Sequence, residues 1–126
     1  MSTKTILIVD DEPGFRFSVS LILRNQGFKV VEAGDGIQAL EVMSGLSKRG
    51  EAVDLVITDI RMPGMDGLKF LERLSAGQDR IKIIVMTGYG NRETGLALKR
   101  LGITRVINKP FNAEVLLDSV YSSFDK

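Results

Sequence analysis

The stretch VITDIRMPGMDG, Val56 to Gly67, decides how this chain is read. An apolar run rises to a single acidic residue, Asp59, and breaks at once into turn residues. Val56 and Ile57 are β-branched and suit a buried strand. Pro63-Gly64 and Asp66-Gly67 are turn chemistry. The carboxylate at the boundary has two readings. Asp is a common turn former, so Asp59 can simply end the strand. Alternatively, the strand delivers a carboxylate to a site, and the rest of the chain has to decide.

Outward from that stretch, the pattern repeats. TILIVD (Thr5–Asp10), FKVVEA (Phe28–Ala33), VDLVITD (Val53–Asp59), IKIIVMT (Ile81–Thr87) and TRVIN (Thr104–Asn108) are all short and rich in Val and Ile. Three of them are nearly continuous in apolar residues, as in parallel strands covered on both faces. Segments with helical spacing lie between and after them. Phe15, Val19, Ile22 and Leu23 recur at three- and four-residue intervals within Gly14–Gln26, and Gly27 supplies a stop. Ile37, Leu40 and Met43 mark a second helix from near Asp35, and Leu68, Leu71 and Leu74 a third with Asp66 as its cap. Asn91–Leu101 and Asn112–Phe124 complete the series. Five βα units predict an α/β fold: a doubly wound parallel sheet in the flavodoxin-like order 2-1-3-4-5, with helices on both faces. The crossovers are expected to be right-handed. With neither linker nor low-complexity segment, residues 1–126 read as one domain.

Composition narrows the chemistry. The 126 residues are 44% hydrophobic and 26% charged, an ordinary globular balance, and no apolar run approaches a membrane span. A net charge of +1 gives no strong pull towards nucleic acid. With no Cys there are no disulfides, thiolate metal sites or Cys nucleophiles. With no His, Ser-His catalysis and His general bases are excluded.

The run ends carry the signal. Strand 1 ends in Asp10-Asp11-Glu12, strand 3 in Asp59, strand 4 in Thr87-Gly88 and strand 5 in Lys109-Pro110. Each has a plain explanation: Asp-Asp-Glu as a capped helix start, Asp59 as a turn, Thr87 as a strand end. Parallel topology, however, brings all of them to one sheet edge, beside the switch point where open α/β sheets bind ligands. Carboxylates about 4 Å apart repel by roughly 4 kcal/mol at an effective dielectric of 20. Either a pKa rises or a cation binds, and oxygen-only donors favour Mg²⁺. Such a site suits phosphoryl chemistry, with Lys109 and Thr87 addressing phosphate oxygens and a carboxylate as acceptor.

VDDE (Val9–Glu12), D-x-x-M-P-x-M-D-G (Asp59–Gly67), MTG (Met86–Gly88) and KPF (Lys109–Phe111) together make the chain resemble a response-regulator receiver domain of two-component signalling. The resemblance covers the whole chain. It implies that Asp59 accepts a phosphoryl group from a histidine kinase, a histidine phosphotransfer protein or a small-molecule donor. It implies Mg²⁺ (or Mn²⁺) held directly by Asp11 and Asp59, by Asp10 through water and by the backbone carbonyl of Arg61. Thr87 and Lys109 would bind phosphate oxygens, and Lys109-Pro110 would be cis. It further implies a cytoplasmic phosphoprotein, a signalling domain rather than an enzyme. That domain would switch a protein-binding surface around helix 4, strand 5 and helix 5 towards a downstream protein. It would work as a monomer or a phosphorylation-dependent dimer, without direct nucleic-acid contact.

One position departs from the family. Three residues before Lys109, many members carry Tyr or Phe, and this chain has Val106. A Val cannot make the usual aromatic swing, so switching is expected through Thr87 and the loop and helix after it, with Tyr89 as a substitute reporter. Gly95 weakens that helix by about 1 kcal/mol relative to Ala, and Leu96 and Leu98 fall on nearly opposite faces. Arg61 and Tyr89, two positions after Asp59 and Thr87, are bulky enough to shield a phosphoryl group from water. Two alternatives stand beside this reading. One is a receiver-like module that docks without phosphorylation. The other is a phosphohydrolase of the haloacid-dehalogenase type, which wants Asp-x-Asp after strand 1, where this chain has Asp10-Asp11.

Overall fold

A computed structural model describes residues 3–60, 67–76, 81–88 and 92–124. Arg61, Asp66 and Tyr89, each given a part above, lie outside the described residues. The elements run β1 (Thr5–Val9), α1 (Pro13–Asn25), β2 (Lys29–Ala33), α2 (Gly36–Lys48), β3 (Leu55–Asp59), α3 (Gly67–Ala76), β4 (Lys82–Thr87), α4 (Arg92–Arg100), β5 (Val106–Asn108) and α5 (Ala113–Phe124). The sheet is parallel throughout, in the order β2-β1-β3-β4-β5. This is the doubly wound arrangement that the alternating pattern predicted.

Period-two alternation along the strands divides the core between the two sheet faces. Leu7, Val9, Val56 and Val85 face a cluster completed by Ala39 and Leu46 of α2, Phe70, Leu71 and Leu74 of α3, and Leu98 of α4. Ile6, Ile8, Leu55, Ile57, Ile84 and Met86 face the other way, onto Val19 and Leu23 of α1 and Leu116 and Val120 of α5. Every residue of β1 and β3 is buried, which explains their continuous apolar sequence.

The helix starts differ in an informative way. Asp35 caps α2, accepting the Gln38 N–H at 2.7 Å, and Asn112 caps α5 by accepting the Val115 N–H at 2.9 Å. Glu12 occupies the N-cap of α1 without a side-chain cap bond, and Pro13 supplies the first turn instead. The acidic triplet after β1 is therefore not spent on capping α1. Gly27 ends α1 with φ 94°, the left-handed conformation expected of a helix stop.

Strand β5 is shorter than its sequence run. Pairing with β4 begins at Val106, opposite Val85, so Thr104 and Arg105 belong to the connection from α4. Among the described residues, no helix is long and apolar enough to cross a membrane.

Candidate functional site

The carboxyl ends of β1, β3, β4 and β5 converge at the switch point, where the chain leaves β1 for β2 on one side and later returns to β3 on the other. Asp10 directly follows β1 and is fully buried. Its backbone N–H donates to the Ala33 carbonyl at 3.1 Å, and its carbonyl accepts Arg16 Nη1 at 2.6 Å. Arg16 is itself held by Glu32, Nε to Oε1, at 2.9 Å. The Asp10 carboxylate is thus aimed from a fixed backbone. Its Oδ1 accepts the Glu12 N–H at 2.9 Å.

Lys109 closes the cluster. Its Nζ donates to Asp10 Oδ2 at 2.6 Å and to Asp59 Oδ2 at 2.8 Å. Residues distant in sequence meet here because β5 ends beside β4: the Lys109 N–H donates to the Thr87 carbonyl at 2.8 Å. Thr87 is buried, as is Asp59. The Lys109-Pro110 bond is cis, as the family resemblance implied. Burial pulls the Lys109 pKa down, but the hydrogen bonds to Asp10 and Asp59 and the charges of both carboxylates outweigh it, leaving it above its ordinary value. The ammonium therefore stays charged.

Asp11 is exposed at the rim. Asp10, Asp11 and Asp59 can each present one oxygen within 4.8 Å of the others. Among the described residues, the cluster sets three carboxylates against one ammonium. The donors are all hard oxygens, so the set fits a small divalent cation. Chemically the pocket offers a carboxylate as nucleophile, carboxylates as cation ligands, and a fixed ammonium and a buried hydroxyl for an anion.

Asp10, Asp11, Asp59, Thr87 and Lys109 therefore come together as their sequence positions suggested. Val106 does not join them: it is 39% exposed on the short edge strand β5. On α4, Leu98 is 3% exposed and Leu96 47%, which resolves the opposed pair. Phe15 was legible only as part of the core stripe of α1. Its ring packs against that core, but it also lies 4.3 Å, centroid to Nζ, from Lys109. The available signal was its place one turn after Asp11, on the helix that leaves the site.

The chain is similar to known proteins in sequence and in fold. The family model for the response regulator receiver domain matches residues 6–121. Sporulation initiation phosphotransferase F of Bacillus subtilis is 34% identical over 120 residues, covering 95% of this chain and 93% of that protein. Transcriptional regulatory protein FixJ of Bradyrhizobium diazoefficiens is 33% identical over 98% of this chain, which spans 58% of the FixJ length. A crystal structure of the response regulator protein TrrA from Thermotoga maritima, in complex with Mg(2+)-BeF, superposes with TM-score 0.81 at 30% identity, covering 97% of this chain and 100% of that one.

Proposed function

This chain belongs to the response regulator receiver domain family of two-component systems, and from that premise we propose that Asp59 is its phosphoacceptor. One observation carries the reading: a single ammonium, Lys109, reaches both Asp10 and Asp59, with Asp11 in the same oxygen cluster. A carboxylate oxygen of Asp59 attacks phosphorus opposite the donor atom. The new P–O bond forms as the donor's P–N or P–O bond breaks, and the leaving group carries away the electron pair. A histidine kinase, a histidine phosphotransfer protein or an acyl phosphate can serve as donor.

Asp11 and Asp59, Asp10 through water and the backbone carbonyl of Arg61 would hold Mg²⁺ or Mn²⁺. Bound there, the ion would neutralise charge on the phosphoryl oxygens. Lys109 exchanges its bond with Asp59 for one to a phosphoryl oxygen, and the Thr87 hydroxyl donates to another. Residues 1–126 form one receiver unit that acts in the cytoplasm as a monomer or phosphorylation-dependent dimer. It signals to a downstream protein through α4, β5 and α5. With Val106 at the usual aromatic position, Thr87, Tyr89 and the loop into α4 carry the switch. Arg61 and Tyr89 shield the phosphoryl group from water, so trimming both to small residues should speed its loss.

The test is labelling by radioactive acetyl phosphate. Incorporation should require Mg²⁺ and vanish in Asp59→Asn. A chain that binds its target equally well with or without labelling would instead be a phosphorylation-independent docking module.

A further inference from the structure

The hydrogen bonds to Asp10 and Asp59 occupy two of the three N–H donors of the Lys109 ammonium. The ring of Phe15 lies beside the same ammonium, 4.3 Å from Nζ to its centroid. That is inside the range of about 6 Å at which an aromatic face attracts a cation. Phe15 is itself braced. The ring of Phe111, on the loop that carries Lys109, meets it at 5.6 Å and 77° in an edge-to-face contact. Phe15 stands in the first turn of α1, fixed by Pro13 and by the Arg16 N–H bond to the Glu12 carbonyl at 3.0 Å.

We infer that Phe15 is a positioning residue for the phosphoryl-transfer site, holding the Lys109 ammonium between Asp10 and Asp59 with its ring. This rests on the reading of Asp59 as phosphoacceptor. Lys109 has a flexible four-carbon stem and must change partners when a phosphoryl group reaches Asp59. The carboxylate contact is exchanged during that step, whereas the ring contact is not. An ammonium kept against the ring moves a short distance to a phosphoryl oxygen and does not swing out to water. A Leu of similar bulk would fill the space without offering a negative face, whereas Tyr would keep that face.

The test compares wild type, F15L and F15Y by two readouts. The first is exchange of the Lys109 ammonium protons with water, followed by NMR, which is independent of phosphoryl chemistry. The second is the initial rate of labelling by acetyl phosphate with Mg²⁺. F15L should speed proton exchange and slow labelling about three- to tenfold, and F15Y should restore both with unchanged thermal stability. Wild-type exchange and labelling in F15L would overturn the inference. So would faster exchange at an unchanged labelling rate, or failure of F15Y to rescue. A wild type that never labels, yet shows the exchange difference, would sink the phosphoacceptor reading and leave the hold of Phe15 on Lys109 intact.

Discussion

Lys109 Nζ lies 2.6 Å from Asp10 Oδ2, joining the residue that follows β1 to the residue that follows β5. Asp10 is wholly buried, while the Lys109 side chain is 21% exposed. A buried carboxylate depends on its partner far more than a surface one does. Lys109→Met should therefore destabilise the protein by about 3 kcal/mol. Urea unfolding in the presence of a chelator measures it. Saturating Mg²⁺ should recover part of the loss, because a second cation then serves the same oxygens. An unchanged midpoint without metal would show that the pair adds nothing to stability.

Gly67 opens α3 against the backbone of Ile60. A Cβ added there would stand 2.0 Å from the Ile60 carbonyl oxygen, and backbone cannot step aside as a flexible side chain would. Gly67→Ala should cost at least about 1–3 kcal/mol. Thermal or denaturant unfolding checks the size, and a variant within error of wild type would contradict the close approach.

The two leucines of α4 separate cleanly. Leu98 is buried in the cluster with Val85 and Ile103, so Leu98→Ala should cost about 2–5 kcal/mol. Leu96 is exposed, and Leu96→Ala should stay within about 0.5 kcal/mol. Parallel urea titrations decide, and equal losses would refute the assignment of faces.

At the opposite end of the sheet, Glu51 is held by ion pairs with Lys29 and Arg49. The hydrogen bond from Lys29 and then that from Arg49 keep its carboxyl below the usual 4.5. A depressed pKa contributes stability above the unfolded value and loses it as pH falls through the folded one. Glu51→Gln should thus be slightly less stable than wild type at neutral pH. The gap should close as pH drops below 4.5 and shrink in high salt. A gap that persists in acid would point to a cause other than charge.

Much of this architecture could be read from the sequence because burial on both faces leaves an unmistakable pattern. LVITD in β3 is buried from end to end, and its apolar run announces that. Asp10, Asp59, Thr87 and Lys109 were legible as a group because parallel strands put all their carboxyl ends on one edge. The contacts among them were not. Strand order says that Lys109 and Asp10 share an edge, but only side-chain packing decides that the ammonium joins Asp10 to Asp59. Phe15 was hidden for a related reason. Helical periodicity places it on the inward stripe of α1, but periodicity cannot show that this stripe ends over Lys109. The start of β5 was placed too early because Thr104 favours a strand whether or not a partner strand reaches it.

The most direct measurement is the chemical location of the phosphoryl group. An aspartyl-phosphate is an acyl phosphate, and borohydride reduces it to homoserine. After incubation with acetyl phosphate and Mg²⁺, reduction and peptide mass mapping should find homoserine at position 59, and none when a chelator replaces the metal. Homoserine at position 10 or 11, or labelling that persists in Asp59→Asn, would contradict the assignment of Asp59 as acceptor.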